Sequence, residues 1–315
     1  MTIAHIDGDI ICYAVGFAAE GEPLSHCLHS VKQMVEGIKE NTKCEAVLIH
    51  LTGGENFRDK VATILPYKGN RTADKPAHYE EIRKYLFIKY PVAITNGIEA
   101  DDSLGIAITS GGGVLCSIDK DLNMIVGDHY NWRTNTMYTI EREEADNNFI
   151  IQCLKGDNTD NIPGLFKITG NRCTKKIIEY CTESGITVQE KFSRVLRVYY
   201  EGATSTKIKH PIEPVTHLDQ PKWDMVYDKV TEIATLLWIQ TNPHRTWQSY
   251  IMGEEVGTSS NPCVEVELTT VLKSDPTPKP ITTSDPSRIF PKLDTVGSTT
   301  SLESTGADYT KAQSS

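Results

Sequence analysis

The sequence lacks several features that would assign it to a class at once. It has no apolar run near the ~20 residues that a membrane-spanning helix requires, and its longest apolar stretch, 106–115, contains Gly and Ser. No basic region precedes an apolar run at the N-terminus, where Asp7 and Asp9 interrupt the first hydrophobic residues. The sequence therefore predicts a cytoplasmic protein with no membrane partner.

Disulfide and cofactor signatures are missing too. The eight cysteines never form C-x-x-C, and most lie in apolar segments such as VLCSI, so we expect reduced core residues. No G-x-G-x-x-G follows the first strand, which argues against a dinucleotide-dependent oxidoreductase. Basic residues are outnumbered, with 32 Lys and Arg against 42 Asp and Glu and a net charge of −10. That balance argues against a generic polyanion binder, because such binding depends on Lys and Arg neutralising phosphates.

What is present is a regular alternation of strand and helix patterns. TIAHID, EAVLIHL, VAIT and GGGVLCSID have the pattern of short buried strands, and amphipathic helical stretches lie between them. This order predicts an α/β fold with a mostly parallel twisted sheet flanked by helices, over residues 1–145. Residues 146–252 form a helical region in this interpretation. The Ser, Thr and Pro content of 253–315 predicts a disordered tail.

Acidic residues recur where the predicted strands and one helix end. They are Asp7, Glu99, Asp101, Asp102, Asp119, Asp121, Asp157 and Asp160. Ligands bind beyond the carboxyl ends of parallel strands, so we expect these acids to converge. Converging anions require compensation, and oxygen-only ligands suit Mg²⁺ or Mn²⁺ better than Zn²⁺. Any one of these acids is equally explained as a helix cap, but the whole set predicts a site for two metal ions.

The motifs, in chain order, resemble those of the 5′-nuclease superfamily of flap endonucleases and 5′ to 3′ exonucleases, especially its bacteriophage members. They are H-I-D-G-D, Y-K-G-N-R, I-E-A-D-D, S-I-D-K-D and K-G-D-N-T-D-N-I-P-G, and they span about residues 3–182. The resemblance implies a PIN-like nuclease domain that hydrolyses DNA phosphodiesters in replication, with RNA primers as a further candidate substrate. The eight acids carry over as ligands of two metal ions.

The same resemblance implies two DNA-contacting elements. The first is a helical arch at about 66–90, in which Lys68 and Arg71 contact the scissile phosphate and Tyr67 stacks on a base. The second is a helix-three-turn-helix at about 146–182, which grips duplex backbone and in relatives also holds K⁺. Its contacts would come from Gly164, Lys167, Gly170, Arg172, Lys175 and Lys176. The expected partner is DNA with 5′ ends or flaps, with RNA–DNA hybrids as a second candidate, bound by a monomer in the host cytoplasm.

One departure from the family pattern leaves alternatives open. Where the family usually has an Asp after the second strand, this sequence has Gly53, with Glu55 two residues later. A catalytically weakened DNA-binding relative is therefore one alternative. A PIN-like ribonuclease, which shares the acids but normally lacks the arch and the three-turn element, is the other.

Overall fold

The computed structural model describes residues 1–209, 212, 218–253 and 269–270. The first part contains β1 (Ile3–Asp7), α1 (Gly8–Ala18), α2 (Leu24–Thr42), β2 (Ala46–Asn56), α3 (Phe57–Val61), α4 (Tyr79–Lys89), β3 (Val92–Gly97), α5 (Ala100–Gly111), β4 (Val114–Cys116), a 3₁₀ turn (Asp121–Met124), β5 (Gly127–Asn131) and β6 (Thr136–Ile140). The second contains α6 (Arg142–Lys155), α7 (Leu165–Thr169), α8 (Lys175–Cys181), α9 (Val188–Thr204), α10 (Gln220–Leu237), α11 (Trp247–Met252) and the two-residue strand β7 (Thr269–Thr270).

The strands form one mixed sheet in the order β6-β5-β4-β1-β2-β3-β7. The five inner strands are parallel, whereas β6 and β7 pair antiparallel at the two edges. The prediction of a mostly parallel sheet flanked by helices is confirmed. The chain runs from β1 to β2 on one side and returns to β4 on the other, so β1 and β4 meet at a topological switch point, where α/β sheets bind ligands.

Two larger hydrophobic cores lie within one compact unit, Met1–Lys273. The first packs β1, β2 and neighbouring strands against α1, α2 and α4, with Ile6 and Ile49 fully buried. The second lies among the helices from α6 to α11, and Tyr67 and Met124 of the first part pack into it. The second core thus extends across the predicted division near residue 145, and α6 begins four positions earlier than the helical pattern indicated.

Several remaining features concern the described residues only. All seven cysteines within them are free thiols, and six of the seven are buried. None of the helices in the described ranges is both long and apolar enough to cross a membrane. Apart from Gly253 and β7, the predicted tail lies outside the described residues.

Candidate active site

Most of the acids predicted as metal ligands line one open pocket of about 910 Å³ at the carboxyl ends of the parallel strands. The predicted site residues that line it are Asp7, Lys68, Arg71, Glu99, Asp101, Asp119, Asp121, Asp157 and Asp160. Sequence segments more than 150 residues apart therefore meet at the switch point of the sheet. The pocket also contains Asp9, which was not among the predicted site residues.

The register of β1 and β4 brings the first acids together. Ile6 lies opposite Cys116, so Asp7 and Ser117 follow side by side. The Ser117 hydroxyl donates to Asp7 Oδ2 at 2.9 Å, and Asp7 Oδ1 accepts from the Ile10 amide at 3.0 Å as the N-cap of α1. Ser117 Oγ also accepts from the Asp119 amide at 3.0 Å. One serine thus fixes the spacing of two acids.

The 157–161 loop is hydrogen-bonded to the 66–71 loop, which carries the cations Lys68 and Arg71. The Lys68 amide donates to the Asp160 carbonyl at 2.9 Å, Asn70 Nδ2 donates to the Asn158 carbonyl at 2.6 Å, and Asn161 Nδ2 donates to the Pro66 carbonyl at 2.9 Å. Lys68 and Asn161 adopt positive φ angles of 54° and 60°. Such angles are uncommon outside glycine, so these turns are maintained by their surroundings.

Cations and carboxylates alternate on the side of the pocket nearest this loop. The Lys68 ammonium is hydrogen-bonded to Glu99, and Arg71 pairs with Asp160 at 2.5 Å. The Tyr67 hydroxyl donates to both acids, at 2.7 Å to Glu99 and 2.8 Å to Asp160. Burial by itself would raise the pKa of Glu99, but the charges of Arg58 and Lys68 outweigh it and hold that pKa below its usual value.

On the opposite side of the pocket the acids repel one another, and the charge of Lys120, which also lines the pocket, offsets this only in part. Burial raises the pKa of Asp7 to about 7. Burial, together with the charge of Asp119, raises the pKa of Asp121 to about 7. The pKa of Asp101 lies well above its ordinary value because of burial and repulsion from Asp7, and burial also raises that of Asp119. A bound cation would relieve this repulsion.

The chemistry of these donors suits a hard divalent cation, since all are carboxylate oxygens. However, no group of three or more His, Cys, Asp or Glu side chains in the described ranges is arranged so that it could hold a metal ion. Their oxygens are directed at protein partners: Glu99 at Lys68, Asp160 at Arg71, and Asp121 at Gln152, 2.6 Å away. The donor set fits Mg²⁺ or Mn²⁺, and the two-ion shell stays a prediction.

Asp102 does not line the pocket, so its prediction as a metal ligand is corrected. It is fully buried, and its two oxygens accept from Arg58 at 2.6 and 2.9 Å. It also forms the capping box of α5 with Glu99. A carboxylate engaged in this way has a structural role.

Tyr67 is likewise not a base-stacking residue in this structure. Its ring is 9% exposed and packs in the second core, leaving only the hydroxyl at the pocket. The predicted helical arch at 66–90 is also not formed as expected. The helix in that span is α4, whose Tyr79, Ile82 and Leu86 are buried in the first core, and residues 62–78 contain no helix.

Gly53 occupies a position that a larger residue would not fit. A Cβ there would lie 2.3 Å from the Thr95 carbonyl oxygen. Glu55 does not replace the missing acid, because it is exposed and pairs with Lys60 at 2.8 Å. The pocket therefore lacks an acid from this strand.

The predicted duplex-binding residues lie on the short helices α7 and α8, at the two ends of α7 and in the loop between the helices. Lys167, Arg172, Lys175 and Lys176 are exposed. Gly170 ends α7 with φ 77°, a conformation that favours glycine. Gly164 differs from the expectation: it is buried, and a Cβ there would lie 2.1 Å from the Lys155 carbonyl oxygen. Its missing side chain therefore serves internal packing.

Three residues at or beside the pocket were missed from the sequence. Arg83 of α4 pairs with Asp9 at 2.8 Å and donates to the Thr52 carbonyl. Arg58 is 3% exposed and contacts both Asp102 and Glu99. The third is Asp9 itself. The helical patterns around Arg58 and Arg83 did not mark either of them as a site residue, whereas Asp9, two residues after Asp7 in H-I-D-G-D, could have been found from its spacing.

No family model matches the chain. A curated 5′-3′ exonuclease of Buchnera aphidicola subsp. Schizaphis graminum is 25% identical over 222 residues, which cover 62% of this chain and 72% of that protein. The exodeoxyribonuclease of Enterobacteria phage T3 is 30% identical over 193 residues, which cover 52% of this chain and 62% of that protein. The chain thus spans less than two thirds of the phage relative.

Among solved structures, the T5 D15 protein co-crystallised with metal ions has a TM-score of 0.43 at 14% identity, covering 74% of this chain and all of the other. T5 5′-exonuclease with bound zinc gives the same TM-score at 16% identity and the same coverage. In its ordered motifs and in its two curated relatives, one bacterial and one from a phage, the chain is similar to members of the 5′-nuclease superfamily.

Proposed function

We propose that this protein is a metal-dependent 5′ to 3′ exonuclease and structure-specific flap endonuclease that hydrolyses DNA phosphodiesters. The observation that carries the proposal is the pocket itself, where acids from four chain segments lie beside the cations Lys68 and Arg71. A pocket for an anionic substrate needs cations, and a pocket for metal ions needs anions. This pocket supplies both.

The chain's own residues would divide the work as follows. Asp7, Glu99, Asp101, Asp119, Asp121, Asp157 and Asp160 would hold two divalent cations. When bound, such ions supply Lewis-acid charge that stabilises the attacking and leaving oxygens of a phosphodiester. Lys68 and Arg71 would bind the scissile phosphate and stabilise charge that develops on its oxygens. To do so they must exchange their present carboxylate partners for phosphate, which presents the same oxygen chemistry.

Duplex DNA would bind at the exposed cations of α7, α8 and the loop between them. Lys167, Arg172, Lys175 and Lys176 form a local positive surface on a chain whose net charge is −10. Contacts of this type neutralise backbone phosphates and carry no base information. The surface would therefore orient a duplex of any sequence.

A substrate panel tests the proposal. We would incubate the protein with flap, nicked, blunt and single-stranded DNA, each labelled at the 5′ or the 3′ end, with and without Mg²⁺. The proposal predicts Mg²⁺-dependent short products from the 5′ end of duplex or flap substrates. A single-stranded RNA of the same sequence completes the panel, and cleavage of that RNA with no cleavage of any DNA would favour a PIN-like ribonuclease.

A second candidate function has one observation in its favour. The pocket lacks an acid on β2, because Gly53 has no room for a side chain and Glu55 points to the surface. A catalytically weakened DNA-binding protein would bind the same substrates and leave all of them uncut at every metal concentration. The panel separates the two functions directly.

A further inference from the structure

A buried hydrogen-bonded network joins α3, α5 and the chain that follows α10. Arg58 donates from Nε to the Leu236 carbonyl at 2.9 Å and from Nη2 to the Trp238 carbonyl at 2.7 Å. The same guanidinium forms the two hydrogen bonds to Asp102 already described. A planar fork that binds a carboxylate and two carbonyls fixes the relative position of three chain segments.

Asp102 extends the network in both directions. Its Oδ1 accepts from the Gln240 amide at 2.9 Å, and its Oδ2 accepts from the Glu99 amide at 3.1 Å. One carboxylate therefore touches the segment after α10 and the backbone of a pocket residue. Arg58 adds a direct contact, with Nη1 3.4 Å from Glu99 Oε2.

The close approach of Gln240 to α5 depends on a glycine. A Cβ on Gly105 would lie 2.4 Å from the Gln240 carbonyl oxygen. At Gly111, on the last turn of the same helix, a Cβ would meet nothing within 4 Å. Helix α5 therefore packs closely against the 238–240 segment at Gly105 and has open space beside Gly111.

We infer that Arg58 and Asp102 are positioning residues that couple the 238–240 segment to the carboxylate of Glu99 in the pocket. The inference rests on the proposed function only in taking Glu99 to be a metal ligand. Groups that orient a ligand through hydrogen bonds typically change metal affinity by about 10- to 100-fold when removed. The helical region would in this way control the metal pocket without contributing a ligand to it.

Gly105→Ala tests the coupling without changing any charge, and Gly111→Ala is the matched control in the same helix. In metal-free protein, we would measure amide hydrogen exchange over residues 97–104. We expect Gly105→Ala to accelerate exchange there by about fivefold, as for the loss of one hydrogen bond, and Gly111→Ala to leave it unchanged. Equal exchange in both variants would overturn the coupling.

Mn²⁺ affinity, measured by electron paramagnetic resonance well below the unfolding temperature, extends the test to the pocket. Gly105→Ala should bind Mn²⁺ about tenfold more weakly than Gly111→Ala. Parental affinity in Gly105→Ala would refute the positioning of Glu99. Failure of the parent to bind Mn²⁺ would instead refute the proposed function, and the exchange result would still decide the coupling. Should Gly105→Ala not fold, amide exchange in Asp102→Asn decides the coupling, because Asn keeps the volume and loses the ion pair; parental exchange there would overturn it.

Discussion

Replacing Asp7 with Asn should stabilise the metal-free protein at neutral and alkaline pH. Asp7 is 1% exposed, and burial raises its pKa to about 7. Asn has the same shape and no charge. Its oxygen can still accept from the Ile10 amide, as Asn is a good N-cap, and its amide can donate to Ser117 Oγ. The substitution therefore removes the charge and keeps the hydrogen bonds.

The direction and the magnitude of this difference in stability follow from proton linkage. Because the folded-state pKa of Asp7 is raised, the folded protein binds a proton that the unfolded chain has released, so stability falls as pH rises from about 4 to about 7. A rise in pKa from 3.8 to about 7 corresponds to roughly 4 kcal/mol, at about 1.36 kcal/mol for each pKa unit. At about pH 8 the Asn variant should be more stable than the parent by roughly 1 to 4 kcal/mol.

Denaturant unfolding in EDTA, at about pH 5 and about pH 8, measures this difference. The advantage of Asp7→Asn should grow with pH across that range. Asp128→Asn is the control, since Asp128 is an exposed acid of the same sheet outside the pocket. Adding Mg²⁺ should then stabilise the parent more than Asp7→Asn, because the ion offsets the buried charge only where that charge exists. A variant less stable than the parent at about pH 8 in EDTA would refute the reasoning.

Three further predictions concern the other side of the pocket and the duplex surface. Lys68→Ala should lower single-turnover cleavage by about 10²-fold with little change in the DNA dissociation constant, as for other electrostatic catalysts; loss of binding alone would contradict this. Replacing Lys175 and Lys176 with Ala should weaken DNA binding equally for all sequences and lower the slope of its salt dependence by about 2, while Lys32→Ala on α2 should change neither. Tyr67→Phe should destabilise the fold by about 1 kcal/mol in denaturant and leave DNA affinity intact, whereas a base-stacking ring would give parental stability.

Much of the fold could be predicted because the strands are short, apolar and separated by helical patterns. Periodicity cannot reveal which strand becomes an edge, and neither β5 nor β6, which pair antiparallel, was among the predicted strands. The helix α4 was predicted, but its packing was not. Whether Ile82 and Leu86 face a core or a substrate depends on contacts made by residues distant in sequence.

The candidate site, like the fold, could be predicted only in part from the sequence. Strand ends predicted which acids would meet, since the carboxyl ends of parallel strands share one edge. The sequence could not show which protein group each acid would pair with, because that depends on tertiary contacts. Asp101 and Asp102 are adjacent on α5, yet one lines the pocket and the other is bound by Arg58. Gly164 shows the same limit. A glycine is needed there because a side chain would collide with the Lys155 carbonyl, and not because a phosphate approaches it.

Asp119→Asn tests whether the acids of this pocket act through divalent metal ions in cutting DNA. Single-turnover cleavage of one 5′-overhang duplex in Mg²⁺ would be measured beside the dissociation constant for the same DNA in Ca²⁺. We expect Asp119→Asn to lose most cleavage, because an ion is lost or misplaced, and to bind DNA as tightly as the parent or more tightly, because a charge that repels phosphate is gone. Cleavage by Asp119→Asn at the parental rate would contradict it.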